Sequence, residues 1–245
     1  MGGGRRPGVI TILAPAGTLA PGAAVPLDSD EEHHLAVRRV APGARVQLLD
    51  GAGRRAEGAL FIEGKRARIV VESVADEPAP VPLILAVGAG DRERFLLLVE
   101  QAAQLGATEI IPLETARAAS VATKLREAHL ERARRRALEA IKQCGSAWAP
   151  SITEPMTPAE FLTRPRSGQG WLADAEGSVP GALSATEALT VAVGPEGGFT
   201  ATETAEFLEA DFVPVRLGPH LLRFETAAMA ALTIAWRARE RDRHG

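Results

Sequence analysis

The stretch VAVGPEGGFT, residues 191–200, carries the strongest local signal in this sequence. An apolar strand runs into a glycine-rich turn, and glycine lets a ligand approach the backbone because no Cβ stands in the way. Thr200 and Glu203 then form an S/T-x-x-E capping box, which predicts the start of a helix. A turn between such a strand and helix lies at the carboxyl edge of a parallel sheet, where open α/β folds bind ligands. A tight turn that binds nothing would give the same pattern.

A second strand, glycine turn and helix follow in VRLGPHLLRFETA, residues 215–227. Leu221 and Leu222 stand in the predicted loop, where apolar side chains usually cover another surface or a ligand. Arg223 and Glu225 lie close to the predicted start of the helix, whose dipole favours an acidic residue. They are therefore either site residues or an ordinary ion pair at a helix terminus.

Strands and helices alternate from residue 82 onward. Periodicity predicts strands at 82–87, 109–112, 170–173, 189–193 and 212–217, and helices at 92–105, 129–143, 202–208 and 225–239. Repeated alternation of this kind predicts an α/β fold with a mostly parallel sheet covered by helices.

The upstream third of the chain has a different pattern. Short alternating segments at 45–50, 57–62 and 67–72 predict strands, with one short helix at 31–40, as in a small β-barrel-like module. The segment DEPAPVP, residues 76–82, should be extended, because its prolines can neither continue a helix nor donate to a sheet. We expect a linker there.

Composition excludes several classes of protein. Of the 245 residues, 46% are hydrophobic and 24% charged, as in an ordinary folded protein, and no apolar run is long enough to span a bilayer. The single cysteine, Cys144, permits neither a disulfide framework nor a cysteine metal site. The N-terminus does not resemble a signal peptide, so we expect a cytoplasmic protein. The net charge of −3 gives no indication of nucleic-acid binding by itself.

Two motifs suggest chemistry that their context does not support. GAGRRA, residues 51–56, matches a dinucleotide-binding pattern, but a strand is predicted after it where that motif requires a helix. A nicotinamide-binding enzyme is therefore the weakest interpretation. His33 and His34 are adjacent, so on a helix they point about 100° apart, and we expect no metal site.

Taken together, the late motifs resemble a known family. GPEGGF at 194–199, followed by LG at 217–218 and LLRFETA at 221–227, is similar to the paired signature of the RsmE family, 16S rRNA (uracil-N3)-methyltransferases of the SPOUT superfamily. Earlier landmarks of that family are similar in order, at residues 33–43, 50–53, 105–117 and 139–145. The resemblance covers nearly the whole chain.

The resemblance implies a fold and partners. Residues 1–75 would form a PUA-like RNA-binding β-barrel, 76–82 a linker, and 83–245 a SPOUT methyltransferase domain with a trefoil knot near its C-terminus. It implies S-adenosyl-L-methionine as cofactor, 16S rRNA in the small ribosomal subunit as substrate, and a homodimer, with no membrane and no metal. Ala227, Ala230, Ala231 and Ile234 are the candidate dimer face of the last helix.

It also implies site residues. The cofactor residues would be Leu172, Ala173, Val193, Gly194, Pro195, Glu196, Gly197, Gly198, Leu217, Gly218, Leu221, Leu222, Arg223 and Thr226. Arg223 would stabilise negative charge on the base and Glu225 would act as the general base. The RNA contacts would be Arg38, Arg39, Arg54, Arg55, Lys65, Arg66, Arg68 and Arg117.

Several positions depart from the family pattern, and all of them lie outside the cofactor motifs. The substituted positions are Gln101, Gln104, Ala116 and Ser146; in addition, a lysine expected near Ala89 and Gly90 is absent, and the segment between His34 and Pro42 is one residue short. Two alternatives therefore stay open: a SPOUT methyltransferase that acts on another RNA, and a non-catalytic RNA-binding protein of ribosome assembly.

Overall fold

The computed structural model describes residues 10–64, 66–118 and 125–244, except the side chains of His34 and of residues 241–244. The described residues divide into two compact units. The first extends to Ala79 and includes Leu138–Ala149, and the second comprises the rest of the chain from Pro80. The sequence prediction had placed residues 138–149 with the second unit.

The first unit contains a barrel-like sheet of five strands, the helix α1 (Ser29–Val37) and the end of a longer helix that begins in the second unit. Its strands are β1 (Ile10–Leu13), β2 (Ala24–Pro26), β3 (Arg45–Leu49), β4 (Arg54–Glu63) and β5 (Arg66–Asp76), in the order β1-β3-β4-β5-β2. Among the strand pairings that the structure describes in this sheet, β1 with β3 is parallel and the others are antiparallel. Apolar side chains such as Ile12, Leu48, Leu60 and Ile69 are fully buried between the strands, as the alternating pattern predicted.

The glycine pattern at 51–53 has a packing role in this unit. A Cβ on Gly53, which has a φ of +101°, would overlap the ring of Trp148. The backbone amide of Gly53 donates to Ala147 O at 2.9 Å, and Ala149 N donates to Gly51 O at 2.9 Å. These contacts explain why residues 138–149 belong to the first unit, and β4 follows the glycines as the context argument required.

The second unit contains a six-stranded sheet in which every described pairing is parallel. Its strands are β6 (Leu83–Gly88), β7 (Glu109–Leu113), β8 (Ser151–Ile152), β9 (Gln169–Ser178), β10 (Leu189–Val193) and β11 (Phe212–Val215). They lie in the order β11-β9-β10-β6-β7-β8. The predicted α/β fold with a parallel sheet is confirmed.

The described residues also form the helices α2 (Arg92–Gln104), α3 (Glu127–Cys144), α4 (Pro158–Leu162), α5 (Ala201–Glu209) and α6 (Phe224–His244). The predicted capping box is present, because Thr200 Oγ1 accepts from Glu203 N and the Glu203 carboxylate accepts from Thr200 N. α6 packs on α2, β6 and β10. An aromatic cluster that includes Phe161, Phe207 and Phe212 fills the core that also contains Leu172.

The elements absent from the sequence prediction are short. β1, β2, β8 and α4 contain four, three, two and five residues, too few for periodicity to distinguish them from loops. α6 begins one residue before the predicted helix and extends beyond it, to His244. In the part of the chain that the structure describes, no helix has the length and apolar character of a membrane span.

Candidate active site

A cleft lies at the carboxyl ends of β9, β10 and β11, which are the three strands at one side of the sheet. β9 lines it with its own residues, whereas β10 and β11 lead into loops that line it. The lining comprises residues 173–175 within β9, residues 193–196 with 198 and 199 from the end of β10 onward, residues 215–218 with 220–222 from the end of β11 onward, and Phe224 and Ala227 of α6. Adjacent parallel strands end at the same edge, so their loops meet there although they are separated in sequence.

Most of the predicted cofactor residues line this cleft: Ala173, Val193, Gly194, Pro195, Glu196, Gly198, Leu217, Gly218, Leu221 and Leu222. Leu172, Gly197, Arg223 and Thr226 lie outside the lining; Leu172 is buried in the core. The structure adds Asp174, Ala175, Phe199, Val215, Arg216, His220, Phe224 and Ala227. These residues could have been predicted, because they are neighbours of the predicted residues in the sequence.

The turn at residues 194–199, hereafter the glycine turn, has its shape because two positions lack a side chain. Gly198 has a φ of +68°, and its backbone amide donates to Pro195 O at 2.8 Å. A Cβ on Gly194 would stand 3.0 Å from Phe199 N, where the chain folds back on itself. The glycines are thus needed for the turn itself, and they also leave its backbone open to the cleft.

The loop after β11 brings apolar side chains to the cleft. Leu222 folds over Gly218, where a Cβ would stand 3.3 Å from Leu222 Cδ1. Leu221 lines the cleft and is 85% exposed. The expectation that apolar side chains in this loop cover a surface therefore holds within the chain for Leu222, whereas Leu221 is available to a ligand.

The local ion pair expected between Arg223 and Glu225 is absent from the described contacts. Glu225 Oε1 lies 4.0 Å from Arg94 Nη1 on α2, and that nitrogen also lies 3.4 Å from Glu196 Oε1 of the glycine turn. Arg223 is exposed, and its carbonyl accepts from Ala227 N in the first turn of α6. Of the two alternatives, the ordinary ion pair is not among these contacts, because the guanidinium near Glu225 comes from α2.

Arg117, a predicted RNA contact, binds the glycine turn. Its Nη1 donates to Gly197 O at 2.6 Å and to Phe199 O at 3.0 Å. Nearby, the backbone amide of Ala116 donates to Glu203 Oε1 at 2.8 Å. The local sequence gives no sign of either contact, since the partners are at least 80 residues apart.

The other predicted RNA residues are in the first unit, and they differ in how free their side chains are. Arg54 and Arg55 pair with Asp76 and Glu77 at 2.9 and 2.6 Å, and the Arg55 side chain is only 14% exposed. Arg68 pairs with Glu63 at 2.6 Å. Arg38, Arg39 and Arg66 are exposed. Lys65 lies outside the described residues.

The predicted dimer face of α6 is partly covered by its own unit. Ala227 and Ala231 are 7% and 0% exposed, whereas Ala230 and Ile234 are half-buried. On the same helix Trp236 is 55% exposed. Among the described residues, no group of three or more His, Cys, Asp or Glu side chains is arranged to hold a metal ion.

The sequence and structure of the second unit agree with a known class of enzyme. Residues 77–236 match the family model of the RNA methyltransferase domain. The structure of ribosomal RNA small subunit methyltransferase E from Neisseria gonorrhoeae bound to S-adenosyl methionine superposes with a TM-score of 0.83 at 26% identity, covering 94% of this chain and 98% of that one. The fold and cleft therefore define an RNA methyltransferase.

Sequence relatives identify the family within that class. Ribosomal RNA small subunit methyltransferase E of Mycobacterium bovis is 32% identical over 225 residues, which cover 86% of this chain and 85% of that protein. The Bacillus subtilis protein of the same name is 27% identical over 226 residues, covering 84% and 87%. The chain belongs to the ribosomal RNA small subunit methyltransferase E family, as the resemblance predicted.

Proposed function

We propose that this chain transfers the methyl group of S-adenosyl-L-methionine to N3 of a uracil in 16S rRNA of the small ribosomal subunit. The observation that carries the proposal is the cleft, in which β9 and the loops after its parallel neighbours β10 and β11 converge in a member of this family. The Neisseria gonorrhoeae relative, which carries S-adenosyl methionine, supports the choice of cofactor.

The residues of the cleft suit that cofactor. The glycine turn offers a backbone unobstructed at Gly194 and Gly198, and Leu221 and Leu222 offer an apolar surface for an adenine ring. The carboxylates of Asp174 and Glu196 belong to residues of the lining, which suits a ligand that carries a sulfonium and an ammonium group. These residues would hold the cofactor, which supplies a methyl group already activated by the cationic sulfur.

Methyl transfer to uracil N3 requires that the proton on this nitrogen be removed. That nitrogen is a poor nucleophile until the proton leaves, and the negative charge then spreads onto the ring oxygens. Arg223 has the guanidinium that would stabilise this charge, and it is exposed immediately before α6. Glu225 is the candidate base; its Oε2 is buried without a hydrogen-bond partner among the described residues.

The first unit would bring the RNA to this site. We propose that residues 1–75 act as a PUA-like RNA-binding barrel joined by residues 76–82 to the methyltransferase domain, 83–245. Arg38, Arg39 and Arg66 have exposed side chains available for phosphates. The target base must be unpaired or flipped to reach the cleft. A trefoil knot near the C-terminus and a homodimer also stay predictions of the family resemblance.

Methyl transfer to small ribosomal subunits that lack the modification tests the proposal. The protein is incubated with isotopically labelled S-adenosyl-L-methionine and these subunits, with large subunits as the control, and the digested RNA is examined by mass spectrometry. We expect label in 3-methyluridine from 16S rRNA alone. Label in another nucleotide would favour a methyltransferase of different specificity. No transfer, with no cofactor binding by calorimetry, would favour the non-catalytic alternative.

A further inference from the structure

The segment after β7, residues 114–118, has one link to α5, directly after the glycine turn, and one to the glycine turn itself. The first is the bond from Ala116 N to Glu203 Oε1, and the second consists of the bonds from Arg117 Nη1 to Gly197 O and Phe199 O. Neither link involves a residue of the predicted catalytic pair. The two links hold residues that are 80 to 87 positions apart in sequence.

Glu203 supplies the first link from a buried position. Its residue is 8% exposed, and its Oε2 accepts from the amide and the hydroxyl of Thr200 at 2.7 and 3.0 Å. The other oxygen takes Ala116 N at 2.8 Å. One carboxylate therefore fixes both the start of α5, directly after the glycine turn, and the backbone of the 114–118 segment.

Arg117 supplies the second link along the side of the turn that is not part of the cleft lining. A Cβ on Gly197 would stand 3.4 Å from Arg117 Cβ and Cδ, so the arginine stem packs directly on that glycine. Gly194, Pro195, Glu196 and Gly198 line the cleft, whereas Gly197 does not. Arg117 thus packs on Gly197, while the other residues of the turn, Phe199 among them, line the cleft.

We propose that Arg117 is a positioning residue for the methyl donor, and that it acts by holding the carbonyls of Gly197 and Phe199. This inference rests on the proposed function of the cleft. A glycine-rich backbone has many conformations available. A cofactor that binds to a disordered turn therefore binds more weakly, because ordering the turn costs conformational entropy. Two charge-assisted hydrogen bonds from one guanidinium nitrogen restrict that freedom before the cofactor arrives.

The chain offers a matched control in Arg166. Its Nη1 donates to Gly168 O at 3.0 Å and its Nη2 to Ala210 O at 2.9 Å, so this guanidinium also joins two backbone segments of the same unit. Arg166 is not part of the cleft lining. Replacing Arg166 therefore measures the general effect of removing an arginine that joins two backbone segments, while the contacts of the glycine turn stay unchanged.

The test compares Arg117→Met, Arg117→Lys and Arg166→Met with the wild type in the absence of RNA. Calorimetry measures the Kd for S-adenosyl-L-methionine, and hydrogen exchange of the cofactor-free protein measures the amides of residues 194–200. We expect Arg117→Met to raise the Kd by about tenfold or more and to speed exchange in the turn. Arg117→Lys should have a Kd and an exchange rate between those of Arg117→Met and the wild type, because an ammonium can still donate to the carbonyls. Arg166→Met should keep the wild-type Kd.

Two results would overturn the inference. One is a wild-type Kd and wild-type exchange in Arg117→Met; the other is normal cofactor binding together with weakened binding of small ribosomal subunits, measured separately, which would make Arg117 an RNA contact. If Arg117→Met does not fold, Arg117→Gln takes its place with the same expected results. A wild-type chain that binds no S-adenosyl-L-methionine would contradict the proposed function instead. That failure appears in the wild type, whereas failure of the inference appears only in the comparison of variants.

Discussion

Gly88, the last residue of β6, lies so close to Pro195 of the glycine turn that a Cβ on it would stand 2.5 Å from Pro195 Cδ. β6 pairs with β10, the strand that leads into the turn. The absence of a side chain at Gly88 thus lets the glycine turn cross the end of β6. Gly90 is different, because a Cβ there would overlap only the carboxylate of Glu196.

We expect Gly88→Ala to destabilise the protein by about 2 kcal/mol, since a proline ring and its backbone must move to admit a methyl group. Gly90→Ala should cost less than about 1 kcal/mol, because a carboxylate at the end of a flexible side chain can rotate away. Urea denaturation of both variants measures the difference. Equal losses of stability would show that the contact with Pro195 does not restrict this position.

Arg223→Ala should slow methyl transfer by at least about 100-fold while the protein still binds S-adenosyl-L-methionine, because the side chain is exposed outside the cleft lining and its proposed task is to stabilise charge on the base. Single-turnover transfer rates and the cofactor Kd measure the two effects. The control is Arg132→Ala, which removes only a surface pair with Glu93. A wild-type rate in Arg223→Ala would remove this residue from the mechanism.

Arg239→Met should lower the free energy of unfolding by about 3 kcal/mol. The Arg239 guanidinium is nearly buried and donates to the carbonyls of Val81, Pro82 and Glu187, next to the starts of β6 and β10. Without it those carbonyls lose three hydrogen bonds, although Pro82 O still accepts from Leu189 N at 3.0 Å. Arg237→Met, at an exposed position of the same helix, is the control and should change stability by less than about 0.5 kcal/mol. Similar values for both variants would contradict the structural role.

Gly53→Ala should destabilise the protein more than Gly43→Ala. Both glycines have positive φ, +101° and +81°, so both variants carry backbone strain of about 1 kcal/mol. Of the two, Gly53 packs against a ring, that of Trp148, whereas a Cβ on Gly43 would meet no atom within 4 Å. The overlap should add about 2 kcal/mol, measured by urea denaturation. If the two losses were equal, the contact with Trp148 would contribute nothing to stability.

Glu160→Gln should have an effect that depends on pH. Hydrogen bonds from the amide and hydroxyl of Thr157, at 2.8 and 2.9 Å, lower the pKa of Glu160 from its ordinary value. A carboxylate with a lowered folded pKa contributes stability above its unfolded pKa, about 4.3, and loses it as the pH falls through the folded pKa. The wild type should therefore melt above the variant at about pH 7, and the difference should shrink at about pH 3. A difference in melting temperature that does not vary with pH would contradict this origin.

The sequence predicted the features that depend on neighbouring residues. Periodicity predicted the longer strands and helices, and the capping box placed the start of α5 at Thr200. The two late glycine turns indicated a ligand site, because a glycine at such a position has no Cβ and leaves the local backbone open to a ligand. Sequence similarity added the family, and with it most of the residues that line the cleft.

Only the tertiary structure decided which distant groups meet. It placed β9 between β10 and β11, gave Glu225 its guanidinium from Arg94, and turned Arg117 toward the glycine turn. It also assigned residues 138–149 to the first unit. Hydrogen-bond and packing signals in a sequence extend over about one helical turn, whereas the partner of a charged side chain depends on the path of the whole chain.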